Sequence, residues 1–392
     1  MTHASKTSPA ATGRDVLLLA CAVVFIEAIL FTALAPLLPE LVERFGLSKA
    51  EAGALSAAYP LGALAASIPS IVLARRAGLR RTVVVSLLVL AAASVLLGLA
   101  TTAAMVFTGR FLQGVGSALA YTGALSWLTA TVPAGRRAEA IGVAFSAAFA
   151  GALLGPLLGA VADATGLAPV FIGTAALAAA LAALTLVLPA PLSSDDVLPP
   201  LRRLAGDETV VISIWLIGLA GALLGLFGVL IPLHLDDIGW SAIAIGLLFA
   251  SASIVIALAS PFVGRLADRA GRGTPLCIGL LLAAATSVGF AIGPGEWLYA
   301  AIAVVAAVAA GILWAPAMAL LADAVERRGY DYAAGFGLTN AAWSPGFAVG
   351  AGIGAALASA FGDVAAFLAM GALCVASTIL LTARTLESRT LP

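Results

Sequence analysis

Apolar stretches about 20 residues long recur along this chain, separated by short polar or Gly/Pro breaks. About 20 apolar residues carry a helix across the ~30 Å hydrocarbon core of a bilayer. The runs at 15–38, 50–73, 82–100, 104–131, 139–161, 168–190, 209–233, 242–263, 274–293, 297–322, 332–358 and 364–383 therefore predict twelve transmembrane helices, with almost nothing left for a soluble domain. The first run is too long for a signal peptide, carries Glu27 near its middle and is followed by eleven more, so it is read as retained.

The pattern also repeats. Pro39, Gly46, Ser48 and Gly53 recur 193 positions later as Pro232, Gly239, Ser241 and Gly246. At the same offset the island Gly264–Arg272 (GRLADRAGR) falls on Ile71–Leu79 (IVLARRAGL), with Ala-x-Arg-Ala-Gly kept. A long internal repeat in an apolar chain is the mark of a transporter built from repeated helical bundles. The expected fold is all-α and integral to the membrane, with twelve transmembrane helices in two pseudo-symmetric six-helix bundles. The predicted divisions are a tail at 1–14, bundles at 15–190 and 209–383 joined by a polar linker at 191–208, and a tail at 384–392.

Composition strengthens this picture: 62% of the residues are hydrophobic and 10% charged, against about 25% charged in soluble domains. The net charge is zero, but its distribution is not even. Arg44 and Lys49 fall in the expected first outer loop, 40–51, and Arg110 within a span; the other Lys and Arg all fall on the opposite side, counting both termini there. The positive-inside rule makes that side the cytoplasm. The expected location is the inner (cytoplasmic) membrane, multi-pass, with both termini cytoplasmic. Cys21, Cys277 and Cys374 lie inside spans without metal-ligand spacing, so neither disulfides nor a metal site are expected. Two histidines, at 3 and 234, with no cluster of His, Asp or Cys, argue against a membrane enzyme.

Glu27 and Arg110 are the charges placed deep within spans. An ionisable group there costs roughly 2.5–3.5 kcal/mol even on the lower scales, and it marks a pathway by default; a structural pair joining helices one and four is the plainer alternative. A buried carboxyl whose charge depends on a nearby cation is what a proton coupler needs. Tyr59, Gln113, Tyr121, Trp127, Asn340 and Trp343 are candidates for a central substrate cavity, whereas Trp240, Trp297 and Tyr299 read as interfacial anchors. His234 and Asp236 read as loop residues at the outer end of helix seven. Gly151, Gly155, Pro156 and Gly159 suit either close packing or a hinge, and Gly346, Gly350 and Gly354 form a related run with Ala351 where the proline would be. Gly264 and Gly271 would allow a tight turn that aims Asp268, Arg269 and Arg272 at neighbouring helix ends, with Asp323 as a partner or a cap.

These residues carry a resemblance. Residues 264–272 match Gly-x-Leu-Ala-Asp-Arg-x-Gly-Arg, the loop signature of the major facilitator superfamily; the first copy departs from it at Arg75 and Leu79. Helix four is similar to the family's Arg-x-x-Gln-Gly-x-Gly at Arg110–Gly116 (RFLQGVG). Helix five is similar to its antiporter signature at Gly151–Ala160 (GALLGPLLGA), and helix one to its acidic residue nine positions before a proline, Glu27 and Pro36. Within that family the chain resembles the twelve-helix drug:proton antiporters, including the vesicular monoamine transporter branch. The resemblance implies proton-driven export of small amphipathic or cationic organic molecules by alternating access, with Glu27 and Arg110 coupling protons, Gly151–Gly159 rocking the bundles and 264–272 with Asp323 acting as a gating latch. It implies small-molecule and proton partners in a lipid bilayer, no nucleic acid, no cofactor beyond the proton gradient, and a monomer. An uptake symporter or facilitator for a small metabolite, or a lipid translocator of the same fold, is the alternative.

Overall fold

The computed structural model describes residues 13–133, 136–188, 207–293, 295–327 and 332–390; the expected linker falls almost wholly outside the described residues. Every element is helical: α1 (Gly13–Thr32), α2 (Leu34–Phe45), α3 (Lys49–Ala77), α4 (Leu79–Gly98), α5 (Ala103–Thr131), α6 (Arg137–Thr165), α7 (Leu167–Val187), α8 (Glu208–Asp237), α9 (Ala242–Ala270), α10 (Gly273–Ala291), α11 (Glu296–Arg327), α12 (Tyr332–Ala348), α13 (Gly354–Phe361) and α14 (Asp363–Thr390). Between α12 and α13, Val349–Ile353 form a π-helical segment, so the two read as one crossing. Among the described residues, eleven crossings are long and apolar enough to span a membrane. The twelfth is α5, whose apolar run is interrupted by Arg110, Gln113, Ser117 and Tyr121.

The repeat is visible in the backbone. Ser48 and Ser241 both cap a 29-residue helix by accepting from the backbone three residues on, at Glu51 and Ala244. Both helices end at a glycine of positive φ: Gly78 at φ 87°, ψ 159° and Gly271 at φ 79°, ψ 155°. Only glycine adopts that conformation without a Cβ clash, which is why the worn first copy still keeps it.

Two expectations need correction here. Residues 40–45 are helical rather than loop, because Pro36 breaks the helix before them: its missing N–H leaves the Thr32 carbonyl without its helical donor, and the chain kinks at Ala33. Beyond the kink, α2 is amphipathic, burying Leu37, Leu38 and Leu41 while Glu43 and Arg44 face out. Gly264 does not help make a turn; it lies inside α9, and Gly271 alone provides the turn.

Successive crossings alternate direction, so the arginine-rich turns share one face and Glu40, Glu43, Glu51, Asp163, Asp236, Asp237, Glu296 and Asp363 gather at the other, here called the acidic face. Within each half, a glycine run lets two helices meet closely. Gly151, Gly155 and Gly159 of α6 lie against the α1 backbone and its kink at Phe25, Ile29 and Ala33; Gly346 and Gly350 of the second half lie against Gly218 and Ala222 of α8. Between halves, α3 packs on α12, the π segment and α13, while α9 packs on α6. The Lys49 Nζ to Asp363 Oδ1 bridge, 2.7 Å long, joins the halves at the acidic face.

Candidate functional site

The site grows from one stripe of α5. Arg110, Gln113, Ser117 and Tyr121 follow one another at helical spacing, so they share a face, and that face meets α1 where it kinks. Glu27 lies on α1, six residues before the kink at Ala33, and is 4% exposed. Tyr59 reaches it from α3. Three helices thus converge on one carboxylate.

Glu27 is held by hydroxyls. The Tyr59 hydroxyl donates to Glu27 Oε1, the Ser117 hydroxyl donates to the same oxygen at 2.8 Å, and Tyr121 is the third hydroxyl facing the carboxylate. Arg110 does not form an ion pair with it. The guanidinium donates to the Leu30 and Phe31 carbonyls at 3.1 and 3.3 Å and to Gln113 Oε1 at 2.7 Å, and it lies 5.0 Å from the Tyr59 ring centroid. Those two carbonyls belong to the last turn of α1, where no helical donor follows; a buried cation at that terminus supplies the missing hydrogen bonds and complements the helix dipole. Tyr59 stands between the charges, one face toward Arg110 and its hydroxyl on Glu27. The pairing of helices one and four is therefore real, but it runs from Arg110 to backbone.

One turn beyond Glu27, Phe31 enters a cluster of rings contributed by both halves. Its ring centroid lies 4.7 Å from Tyr59, 5.4 Å from Trp343 and 5.6 Å from Phe347, and Trp343 and Phe347 are 5.2 Å apart. These are edge-on or tilted contacts of the favourable kind. They connect the carboxylate site of the first bundle to α12 of the second.

The other expected site residues are distributed as follows. Gln113 is fully buried as the acceptor for Arg110, and Trp127 is fully buried in the first-half core, so neither lines an open cavity here. Tyr121 packs on Phe145 at 6.2 Å, and Asn340 is exposed one turn nearer the basic face than Trp343. Pro156 turns its carbonyl toward Gly246 of α9, away from the glycine stripe that meets α1. Arg272 pairs with Asp323, while Arg269 is exposed and the Asp268 side chain lies outside the described residues. Tyr299 is 2% exposed and stacks on His234 at 4.2 Å, so it belongs to the core; Trp297, 73% exposed and 5.5 Å from Trp240, fits the interfacial belt.

Sequence reasoning missed Ser117 and Phe31. Ser117 was detectable as the next member of the stripe begun by Arg110 and Gln113. Phe31, four residues after Glu27, is marked only by its position.

A membrane bundle of two repeated halves, with a buried carboxylate one helical turn from the rings that join them and no soluble domain among the described residues, has the architecture of a transporter. The family model of the Major Facilitator Superfamily matches residues 20–205 and 210–391, and the chain belongs to that family. Its members are transporters of small molecules rather than enzymes, and in general need no cofactor. Among curated proteins, the quinolone resistance protein NorA of Staphylococcus aureus (strain MRSA252) is 32% identical over 135 residues, 34% of each chain. Multidrug resistance protein 1 of Bacillus subtilis (strain 168) is 30% identical over 181 residues, 45% of this chain and 46% of its own. The matched stretches thus span between a third and a half of those relatives. Among solved structures, a bacterial homologue of the human lysosomal transporter Spinster, in an inward-facing and occupied conformation, aligns with TM-score 0.75 at 17% identity over 96% of this chain and 97% of its own. A POT family transporter in complex with 5-aminolevulinic acid aligns with TM-score 0.74 at 14% identity over 94% and 95%.

Proposed function

We propose that this protein is a proton-driven exporter of small amphipathic or cationic organic molecules, working as a monomer in the cell membrane with its basic face and both termini in the cytoplasm. The observation that carries the reading is the placement of Glu27: a carboxyl almost fully withdrawn from water, held by neutral hydroxyls rather than by a fixed cation. A carboxylate so placed can be neutralised by a proton or by the cationic end of a substrate, and the two compete. That competition makes the exchange obligatory. The named relatives in multidrug and quinolone resistance support the substrate class and the direction.

Glu27 loads the proton in this mechanism. Tyr59, Ser117 and Tyr121 hold its charged form, and Arg110 keeps the α1 kink in place so that the carboxylate stays aimed at the junction. Phe31, Trp343 and Phe347 close the route toward the acidic face, which corresponds to the inward-facing half of an alternating-access cycle. Rocking about the α6–α9 and α3–α12/α13 contacts opens the other side, with Pro156 as the bend in α6; Gly264, Asp268, Arg269, Gly271, Arg272 and Asp323 form the latch on the cytoplasmic side. The test is transport in proteoliposomes: an imposed proton gradient should drive lipophilic cations against their own gradient, a protonophore should abolish this, and Glu27→Gln should remove it. Equal flux with and without a gradient would instead identify a facilitator.

A further inference from the structure

We infer that the turn between α3 and α4, with the adjoining end of α7, is a binding site for anionic phospholipid headgroups of the leaflet it faces. Arg75 and Arg76 close the last turn of α3, and Arg80 and Arg81 stand in the first turn of α4, with Gly78 between them. Arg76, Arg80 and Arg81 are exposed. No acidic residue occurs in the sequence between Glu51 and Glu139, so α3, α4 and α5 supply none near these arginines beyond the far end of α3.

The repeat shows what is different about this turn. In the second half the position equivalent to Arg75 is Asp268, and Arg272 pairs with Asp323 of α11. The first-half position 193 residues before Asp323 is Ala130. At these two positions the second copy has acids, Asp268 and Asp323, and the first has Arg75 and Ala130. A phosphate diester on the membrane surface has the charge and oxygen geometry to take the place of the acids, and arginine binds phosphate through its planar fork.

The surroundings fit a lipid better than a soluble anion. Arg80 Nη1 lies 3.5 Å from the Leu186 and Leu188 carbonyls at the end of α7. From that point exposed apolar side chains run toward the membrane interior on both sides of the α4–α7 contact: Leu184, Leu186 and Val187 on α7, and Val85 and Leu88 on α4. A headgroup over Arg80 and Arg81 would therefore leave its acyl chains lying along an apolar lane. A basic cluster at the end of a transmembrane helix attracts anionic lipid in proportion to the number of charges.

The experiment titrates the whole protein in detergent with phosphatidylglycerol or phosphatidylcholine and counts bound lipid by native mass spectrometry. The wild type should hold phosphatidylglycerol roughly tenfold more strongly than phosphatidylcholine, and the combined Arg76→Gln, Arg80→Gln and Arg81→Gln variant should lose that preference. Arg265→Gln with Arg269→Gln, which removes two exposed arginines from the corresponding end of α9 in the second half, should keep it. Should the combined variant not fold, the single Arg81→Glu at its exposed position should weaken phosphatidylglycerol and leave phosphatidylcholine unchanged. An undiminished preference in the first-half variants, no preference in the wild type, or displacement of the lipid by inorganic phosphate at equal concentration would each overturn the assignment.

Discussion

Gly53 and Gly246 occupy the same place in the two halves, and each backs onto the opposite half. A Cβ on Gly246 would come within 2.8 Å of the Pro156 carbonyl and 3.1 Å of the Ala160 Cβ; one on Gly53 would overlap the Ala351 carbonyl and the Ala355 Cβ. Ala351 and Ala355 follow Gly350 and Gly354 just as Pro156 and Ala160 follow Gly155 and Gly159. The two seams are therefore one contact made twice. Where the first seam has a proline, the second has the π-helical segment Val349–Ile353, another interruption of regular helical bonding at the point of contact.

A bulky side chain at either glycine should wedge the acidic face open. Overpacking a tight contact costs about 1–3 kcal/mol, enough to move a two-state equilibrium by roughly five- to 150-fold. Gly53→Leu and Gly246→Leu should each lengthen spin-label distances between the acidic ends of α3 and α13, or of α9 and α6, while Gly142→Leu, which faces open space, should not. Unchanged distances in both seam variants would contradict the pairing of these contacts with closure.

Tyr59 is expected to matter through its hydroxyl. Hydrogen bonds to a charged group contribute about 1.5–3 kcal/mol, so Tyr59→Phe should lower coupled transport by roughly tenfold or more while the ring contacts with Phe31 and Arg110 keep the fold intact. Ser117→Ala should act in the same direction. Transport rates set beside thermal unfolding midpoints separate this from general destabilisation.

Arg110→Lys should fail despite preserving the charge. Lysine has no planar fork to reach the Leu30 and Phe31 carbonyls and Gln113 together, and each buried group left without a partner costs about 1–3 kcal/mol. The expected result is a lower unfolding midpoint as well as lost transport, in contrast to Tyr59→Phe. This difference follows from Arg110 bonding to the α1 backbone rather than to Glu27.

Much of this was legible from residues alone. Twelve apolar runs, the Gly46/Gly239 and Gly78/Gly271 repeat and the buried Glu27 all have direct sequence signals, because membrane burial and positive φ each leave few allowed residue types. The helical α2 did not, since Glu40, Glu43 and Arg44 look like loop residues until Leu37, Leu38 and Leu41 are seen on one face. Nor could spacing say that Arg110 would choose carbonyls over Glu27: that depends on the kink at Ala33, which opens acceptors no residue code announces. Trp127 and Asn340 show the same limit, because a polar or aromatic residue in a span reads alike whether it faces core, lipid or cavity.

Glu40, on α2 outside the spanning helices, gives a pH prediction. Burial, and then the neighbouring Asp163 carboxylate, hold its carboxyl above the usual range; Arg44 at 3.7 Å offsets part of this. A carboxyl whose pKa is raised on folding favours the packed arrangement while protonated, and that contribution is lost as pH rises through the raised value. The α2 contact should therefore tighten in mild acid, read as slower amide exchange at Leu41 and Val42. Glu40→Gln should flatten that response.

The most direct test of the central claim is proton release in weakly buffered detergent solution when a lipophilic cation is added to wild type and to Glu27→Gln. The wild type should release protons to an extent that saturates with ligand binding, and the release should disappear in the variant. Ligand binding without proton release, or equal release from both proteins, would contradict the claim and leave Glu27 with a structural role.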